Sequence, residues 1–180
     1  MAAIGHTVVK QTTNQSSSST TYADVTGCTI TAANMTAGDD YLIWVSCQVG
    51  IATGASGIGF VKMVHGTTDF AGSECGMKVP AVNARHSYMW FTKWTAVTSE
   101  DVKLQFKTSN VNDACLVDQV AVLVVHLTEL SSSNDYKFAE NHSALGLTAA
   151  TWSDGASVTF TPANNNDDWL VLTSARYNVA

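Results

Sequence analysis

The segment TYADVTGCTITAAN (residues 21–34) decides the fold, because the chain repeats it as TWSDGASVTFTPAN at residues 151–164. After a short gap, DDYLI (residues 39–43) is echoed by DDWLV (residues 167–171). A repeat at a spacing of about 130 residues has the size of a domain rather than of a solenoid unit. The sequence therefore predicts two copies of one module.

Composition excludes several classes of function. The 180 residues carry a net charge of −6, only 13% charged side chains, and nine Lys and Arg residues that are scattered. Nucleic-acid binding needs clustered basic residues that displace counterions, so we expect none here. No apolar run approaches the roughly 18 residues of a membrane span, and the first residues lack the features of a secretory signal. We expect a soluble protein, made in the cytosol, with no membrane contact.

Strand patterns follow one another along the first module. Runs rich in β-branched and aromatic residues occupy residues 6–10, 22–31, 41–51, 57–64, 86–97, 101–108 and 115–130. The last run is long and apolar, which predicts a central, fully buried strand. No window of the sequence shows a helical period with caps. We therefore predict an all-β fold, an antiparallel β-sandwich of jelly-roll or Greek-key type followed by an incomplete second copy.

The same patterns give the domain boundaries. Residues 1–20 are an N-terminal strand and polar arm, residues 21–130 the first module, residues 131–135 a linker, and residues 136–180 the start of a second module. The polar stretch Gln11–Thr20 is either a flexible loop or an arm that orders only against a neighbouring subunit. Because two or three strands cannot form a two-layer sandwich alone, we expect the protein to continue past Ala180.

Residues that carry chemistry are sparse. The cysteines lack CxxC spacing, and a reducing site of synthesis favours free thiols at Cys28, Cys47, Cys75 and Cys115. Gly54–Ile58 looks like a nucleophile elbow but lacks its final glycine and its strand-to-helix context. The histidines have no metal-type spacing. We expect no enzymatic activity, no cofactor and no metal.

Two acidic turns are the best candidates for a cation. They contain Asp39 and Asp40 in the first copy, and Asp167 and Asp168 in the second. Ca²⁺ takes six to eight oxygen ligands, and neither turn supplies them alone. Aspartate also favours turns through its own backbone hydrogen bonds, which is the alternative explanation.

Aromatic residues mark one strand as covered on both faces. Tyr88, Trp90 and Trp94 share one face of the predicted strand, and Phe91 lies on the other. An isolated sandwich buries one face of each strand, so the second face is an oligomer interface, a sugar-stacking surface or a surface covered by a loop. His126, within an apolar strand, is predicted to be hydrogen-bonded or to contact another subunit. Tyr88, Trp90, Trp94 and His126 are thus the candidate contact residues.

Three segments resemble a known family. TTYADVTG (residues 20–27), AGDDYLI (residues 37–43) and VDQVAVLVVHL (residues 117–127) are similar to tandem jelly-roll-like β-sandwich modules of tailed-bacteriophage virion proteins, of tail-fibre, appendage or head-decoration type. The resemblance covers residues 7–130 and part of residues 136–180. It departs from the family where Val and His replace the basic residues that often alternate in the closing strand. It implies a trimer and brings no catalytic residues.

These observations together indicate a non-enzymatic structural protein of the virion surface, made in the host cytoplasm. We expect a homotrimer that contacts other virion proteins through its N-terminal arm, with a distal module that reaches a glycan of the host surface. A different class of function is the alternative: a carbohydrate-binding module or lectin-like β-sandwich that uses exposed Trp side chains and the acidic turns.

Overall fold

Ten strands make up the part of the chain that a computed structural model describes, residues 5–52, 57–78, 81–128 and 130. In chain order they are β1 (His6–Gln11), β2 (Gln15–Ser17), β3 (Ala23–Ile30), β4 (Asp40–Ile51), β5 (Gly59–His65), β6 (Thr68–Asp69), β7 (Cys75–Met77), β8 (Arg85–Thr95), β9 (Val102–Thr108) and β10 (Cys115–His126). A short 3-10 turn, Ala32–Asn34, connects β3 to β4. No helix in this part of the chain is long and apolar enough to cross a membrane. The predicted linker and second copy lie outside the described residues.

The strands form two antiparallel sheets packed face to face. The first sheet has the order β1-β10-β4-β8, with β2 also paired to β10, and the second has the order β3-β9-β5-β6, with β7 also paired to β5. From β3 onward the chain crosses repeatedly between the sheets, and this strand order is that of a jelly roll. The predicted all-β antiparallel sandwich is confirmed.

The core lies between the two sheets and follows the predicted alternation. In β9, the side chains of Val102, Leu104 and Phe106 are buried, while Lys103 and Lys107 between and after them are half-buried on the outer side. Every second side chain of a strand points to the same face, so the strand period sets which residues are removed from water. Burying one such aliphatic or aromatic side chain contributes about 1.5–3 kcal/mol.

Part of the polar stretch Gln11–Thr20 is a strand of the chain's own sandwich. Within it, β2 pairs with β10 of the same chain. The amide of Gln15 makes two further bonds: its Oε1 accepts from Thr26 N at 2.8 Å and its Nε2 donates to Thr26 O at 2.7 Å. A side-chain amide can bond to a backbone as a neighbouring strand would, because it both donates and accepts hydrogen bonds. The segment is therefore a strap along its own sandwich.

Strand β10 is central, as predicted, but it is not buried on both faces. It lies between β1 and β4, and its inward residues Val120, Val122 and Val124 are buried. The outward residues Leu123 and Val125 are only half-buried. Its register shifts between Asp118 and Ala121, where Gln119 adopts a φ of 49°, as at a β-bulge. The apolar residues of β10 therefore contribute both to the core and to the outer face of the first sheet.

All four cysteines are free thiols. Cys28, Cys47 and Cys115 are buried and Cys75 is half-buried. Burial raises the pKa of the Cys28 thiol to about 11 and that of Cys115 to about 12, and it also raises the pKa of Cys47. The reactive species of cysteine is the thiolate, so these three residues behave as small apolar core side chains.

We expect these three thiols to be protected in the folded protein. At pH 8 their reaction with a disulfide reagent such as Ellman's should be slower than that of a free thiol by at least roughly a hundredfold, from the low thiolate fraction alone. After unfolding in guanidinium, all four should react. Rapid reaction of three thiols in the native protein would contradict the buried positions.

Candidate functional site

The aromatic residues predicted to share one face of β8 do share it, and that face is the inner one. Tyr88 is 6% exposed and Trp90 is 9% exposed. The Tyr88 hydroxyl donates to Ser73 O at 2.5 Å, and the Trp90 ring lies 5.6 Å from that of Phe70. Both are core residues, because the strand turns this face toward the second sheet. They are not available to a sugar or to another subunit.

The other two predicted contact residues lie near one end of the sandwich, on either side of Tyr41. Trp94 is half-buried and its ring lies 6.2 Å from that of Tyr41, which in turn stacks on His126 at 5.0 Å. His126 Nε2 lies 2.8 Å from Asp39 Oδ2. Neighbouring aromatic rings at these distances stabilise each other beyond their buried area. The structure therefore brings Trp94 and His126 together through the buried Tyr41.

The acidic turn before β4 is occupied by partners from its own chain. The Asp40 carboxylate accepts from Thr95 Oγ1 and pairs with Lys93 Nζ at 2.7 Å, and Asp39 bonds to His126. Across the described ranges, no group of three or more His, Cys, Asp or Glu side chains is placed to hold a metal ion. The carboxylates of Asp39 and Asp40 are thus bonded to donors of their own chain. Asp167 and Asp168 lie outside the described residues.

Asp40 gives the fold an acid-sensitive contact. Its hydrogen bonds from Lys93 and Thr95 hold the pKa of the carboxyl below its ordinary value of 3.8. A lowered pKa in the folded state adds stability above the ordinary value, and this stability is lost as the pH falls through the folded pKa.

We therefore expect Asp40→Asn to be less stable than the natural protein at pH 7, by at most about 1 kcal/mol for this partly exposed pair. The difference should shrink as the pH falls below about 4, since the unfolded chain then takes up a proton at this carboxyl, and it should vanish only below the lowered pKa of the folded state. Urea unfolding of both proteins between pH 7 and pH 3 measures it. A difference that stays constant with pH would assign the loss to something other than the charge.

A shallow cleft of about 250 Å³ opens beside His126. It is lined by Gly5, His6, Thr7, Ala33, Asn34, Thr36, Tyr41, Val124 and His126. Its polar groups are hydroxyls, an amide and imidazoles, and its apolar wall includes Val124. The volume is slightly below the range of ordinary small-molecule sites, so the cleft has room for one small polar ligand.

The centre of the outer face of the first sheet is apolar, although Lys10 and Ser46 lie on the same face. This is the face of Phe91, for which the sequence left an oligomer interface, a sugar-stacking surface and a loop cover open. A row of four side chains crosses the sheet, since Val8 is paired with Leu123, Leu123 with Trp44, and Trp44 with Phe91. Neighbouring rows add Leu42, Val125, Ala121 and Met89. We call these eight side chains the apolar face. Leu42 and Trp44 of β4 are both apolar and both face outward, where a strand of a sheet exposed to water would carry polar residues.

The outer face of the second sheet has a different character. Lys103 pairs with Asp24 at 3.3 Å, and Gln105 Nε2 donates to the same carboxylate at 2.7 Å. Lys107 Nζ lies 4.4 Å from the centre of the Tyr22 ring. Charged and amide side chains of this kind are normal for a sheet face in water. The two outer faces of the sandwich therefore differ in polarity: that of the second sheet is charged, and the centre of that of the first sheet is apolar.

Charged pairs close the apolar face at both ends. At one end Arg85 Nε lies 3.2 Å from Asp118 Oδ2, and at the other end Lys93 pairs with Asp40. Gly50 lets Arg85 lie flat across β4, because a Cβ there would come within 2.3 Å of Ala84 O and 3.0 Å of the Arg85 side chain. These two charged pairs are matched within the chain, while Lys10, opposite Ala121 on the same face, is exposed.

The apolar face also holds an unsatisfied donor. Trp44 Nε1 is buried and, among the residues that the structure describes, has no hydrogen-bond partner. The indole N–H can only donate, and buried Trp side chains usually find an acceptor. An indole of this kind calls for an explanation.

Comparison with known proteins gives structural likeness only. No family model matches the sequence, and no curated protein matches it. Among solved structures, the chain is similar to dimeric latent PorU from Porphyromonas gingivalis, with 12% identity and a TM-score of 0.49 over 68% of this chain and 13% of that one. It is also similar to the EclA C-terminal domain, a sugar-binding protein, with 13% identity and a TM-score of 0.35 over 68% of this chain and 79% of that one. Neither likeness assigns a ligand or an activity to this chain.

Proposed function

We propose that this chain is a non-enzymatic structural module that works as a subunit of a larger assembly, a surface appendage of a tailed-bacteriophage virion. The observation that carries the proposal is the apolar face. An antiparallel sheet in water carries polar residues on its exposed side, and a contiguous apolar surface in a soluble protein marks a contact with another molecule. The outer face of the second sheet, which carries ion pairs, shows by comparison what a face of this sandwich exposed to water looks like.

The phage assignment within this proposal is supported by the sequence resemblance. The three segments that carry it include most of β3, the end of the turn before β4 with the start of β4, and nearly all of β10. Strands β4 and β10 are paired in the first sheet, and both contribute to the apolar face. The same family implies three copies in the assembly, a place on the virion surface, and contacts with other virion proteins.

The mass of the full chain in solution tests the proposal. A chain of 19.1 kDa should elute as a stable multiple of that mass, with three copies expected, when light scattering is measured behind a sizing column. The mass should persist as the loading concentration falls from about 100 µM to 1 µM, since obligate interfaces are large and more apolar than transient ones. A strict monomer throughout would reject the proposal.

Carbohydrate binding is the second candidate, and the cleft beside His126 favours it. Hydroxyls from Thr7 and Thr36, the Asn34 amide and the imidazole give the mixture of donors and acceptors that a sugar needs, in a volume suited to one ring. A glycan array probed with the full chain tests it. Binding that is lost in Asn34→Ala would support a sugar site in the cleft, and an array with no signal would argue against one.

A further inference from the structure

We infer that the cleft beside His126 takes one uncharged sugar or polyol, held between the hydroxyl of Tyr41 and the imidazole of His126. The inference deepens the carbohydrate candidate of the proposed function and rests on it, because it names the groups that hold the ligand and the class of ligand that they accept. Both residues line the cleft, and their rings stack with centroids 5.0 Å apart. A ligand in the cleft therefore meets two polar groups that packing already holds in place.

Tyr41 brings to the cleft a buried donor that no protein group uses. The residue is only 3% exposed, and its hydroxyl oxygen accepts a hydrogen bond from Thr36 N at 2.8 Å. Thr36 belongs to the wall of the cleft as well. The hydroxyl also carries a proton to donate, and within the part of the chain that the structure describes this proton has no protein acceptor. A buried donor without an acceptor costs free energy, and a ligand oxygen in the cleft removes this cost.

His126 brings an acceptor to the same cleft. Its Nε2 lies 2.8 Å from Asp39 Oδ2. A carboxylate can only accept, so in the neutral imidazole Nε2 carries the proton and Nδ1 keeps its lone pair. Nδ1 lies on the side of Gly5, where a Cβ would be 3.9 Å from it, and Gly5 is another residue of the cleft wall. Because each hydroxyl of a sugar both donates and accepts, the hydroxyls of one ring can serve both Nδ1 and Tyr41.

The lining selects an uncharged ligand. Among the described residues, it contains no Lys, Arg, Asp or Glu, and its ionisable groups are the imidazoles of His6 and His126 and the Tyr41 phenol. The carboxylate of Asp39, which reaches His126, is already bonded to it. An ionised ligand would lose its hydration without gaining a fixed counter-charge, whereas a neutral polyol exchanges one set of hydrogen bonds for another. The volume of about 250 Å³ suits a single ring.

The internal repeat of the sequence keeps two of the lining residues in character. Asn34 recurs unchanged as Asn164, and Tyr41 is matched by Trp169. An amide is thus kept at the first position, and an aromatic ring with one polar donor is kept at the second. In the described copy, Asn34 Nδ2 donates to Thr31 Oγ1 at 3.0 Å, which fixes the amide in the wall. The recurrence favours a use for this amide and this aromatic donor that the two copies share.

Sugar binding to the full chain tests the inference, with two matched tyrosine substitutions. The probes are glucose, galactose, mannose and N-acetylglucosamine as neutral sugars, with glucuronic acid and glucosamine as charged ones. We expect a neutral sugar to bind with a Kd on the order of 1 mM, measured by saturation-transfer NMR. Tyr41→Phe removes the donor from the cleft and should weaken binding about tenfold. Tyr22→Phe removes a hydroxyl that donates to Glu74 at 2.9 Å, beside the outer face of the second sheet, and should leave binding unchanged.

A second measurement needs no change in the cleft. The imidazole nitrogen resonances of His126, assigned by their absence in His126→Gln, should move when the neutral sugar is added to the natural chain. The resonance of Nδ1 should move most, because this nitrogen accepts the new hydrogen bond. A sugar bound elsewhere would leave it where it was.

The outcomes separate the inference from the proposed function. If a sugar binds but Tyr41→Phe binds it as well as the natural chain does, the sugar occupies another surface, and the inference is wrong while the carbohydrate candidate stands. If only a charged sugar binds, the inferred ligand class is wrong. If no probe binds at about 50 mM, well above the expected Kd, the inference and the carbohydrate candidate both fail, and the structural role is unaffected. Circular dichroism checks that each variant is folded, and the His126 resonances decide if Tyr41→Phe is not.

Discussion

Replacing Trp90 by alanine should lower the free energy of unfolding by about 4 kcal/mol, the usual cost of deleting a large aromatic side chain from a core. Trp90 is 9% exposed and belongs to the main cluster of buried residues. Its ring packs against Phe70, and a cavity left by the indole would be bounded by strands that cannot collapse without breaking their pairing. The variant therefore loses most of the free energy that is gained when the indole moves from water into the core.

Urea unfolding followed by circular dichroism measures this loss, with Val97→Ala as the control. Val97 is 82% exposed, so its truncation should change stability by less than about 0.5 kcal/mol. Trp94→Ala should fall between the two, because Trp94 is only partly buried against the core. If Trp90→Ala lowered the free energy of unfolding by less than about 1 kcal/mol and abolished binding to a sugar or a subunit, Trp90 would instead belong to a binding surface.

Sequence periodicity could predict that Tyr88, Trp90 and Trp94 share a face, because the strand period is local and strict. It could not predict which face is inside, since Phe91 and Trp44 make the opposite face of the same sheet aromatic as well. The decision depends on where the second sheet packs, and that is a property of strand order rather than of any one strand. The expectation that the face of Phe91 is covered by another molecule or by a loop stays a prediction.

Contacts between distant residues determine the partners of the acidic turn and of the polar strap. Asp39 bonds to a histidine 87 residues away and Asp40 to a threonine 55 residues away. Gln15 finds its partner across a turn, on the backbone of Thr26. A polar residue in a sequence shows that it needs a partner when buried but does not show which one. For Asp39 and Asp40, turn chemistry and a cation were the only partners that local sequence could suggest.

Replacing Arg85 by alanine should cost about 3 kcal/mol, at the lower end of the range for breaking a buried ion pair. The Arg85 and Asp118 side chains are only 19% and 12% exposed. Asp118 Oδ1 is already buried with no hydrogen-bond partner among the described residues, so the guanidinium supplies a large part of the compensation for this carboxylate. Without it a charge remains next to the β-bulge at Gln119, in a site that water reaches poorly.

Two further variants show that the loss comes from the unpaired charge. Lys103→Ala removes a pair in which the Asp24 side chain is 45% exposed, and it should cost at most about 1 kcal/mol. In the double variant Arg85→Met with Asp118→Leu, both charges are gone and apolar side chains fill the space, so stability should return to within about 1 kcal/mol of the natural protein. If the double variant were instead as unstable as Arg85→Ala, the loss would come from the packing of the arginine stem across Gly50 rather than from the carboxylate it neutralises.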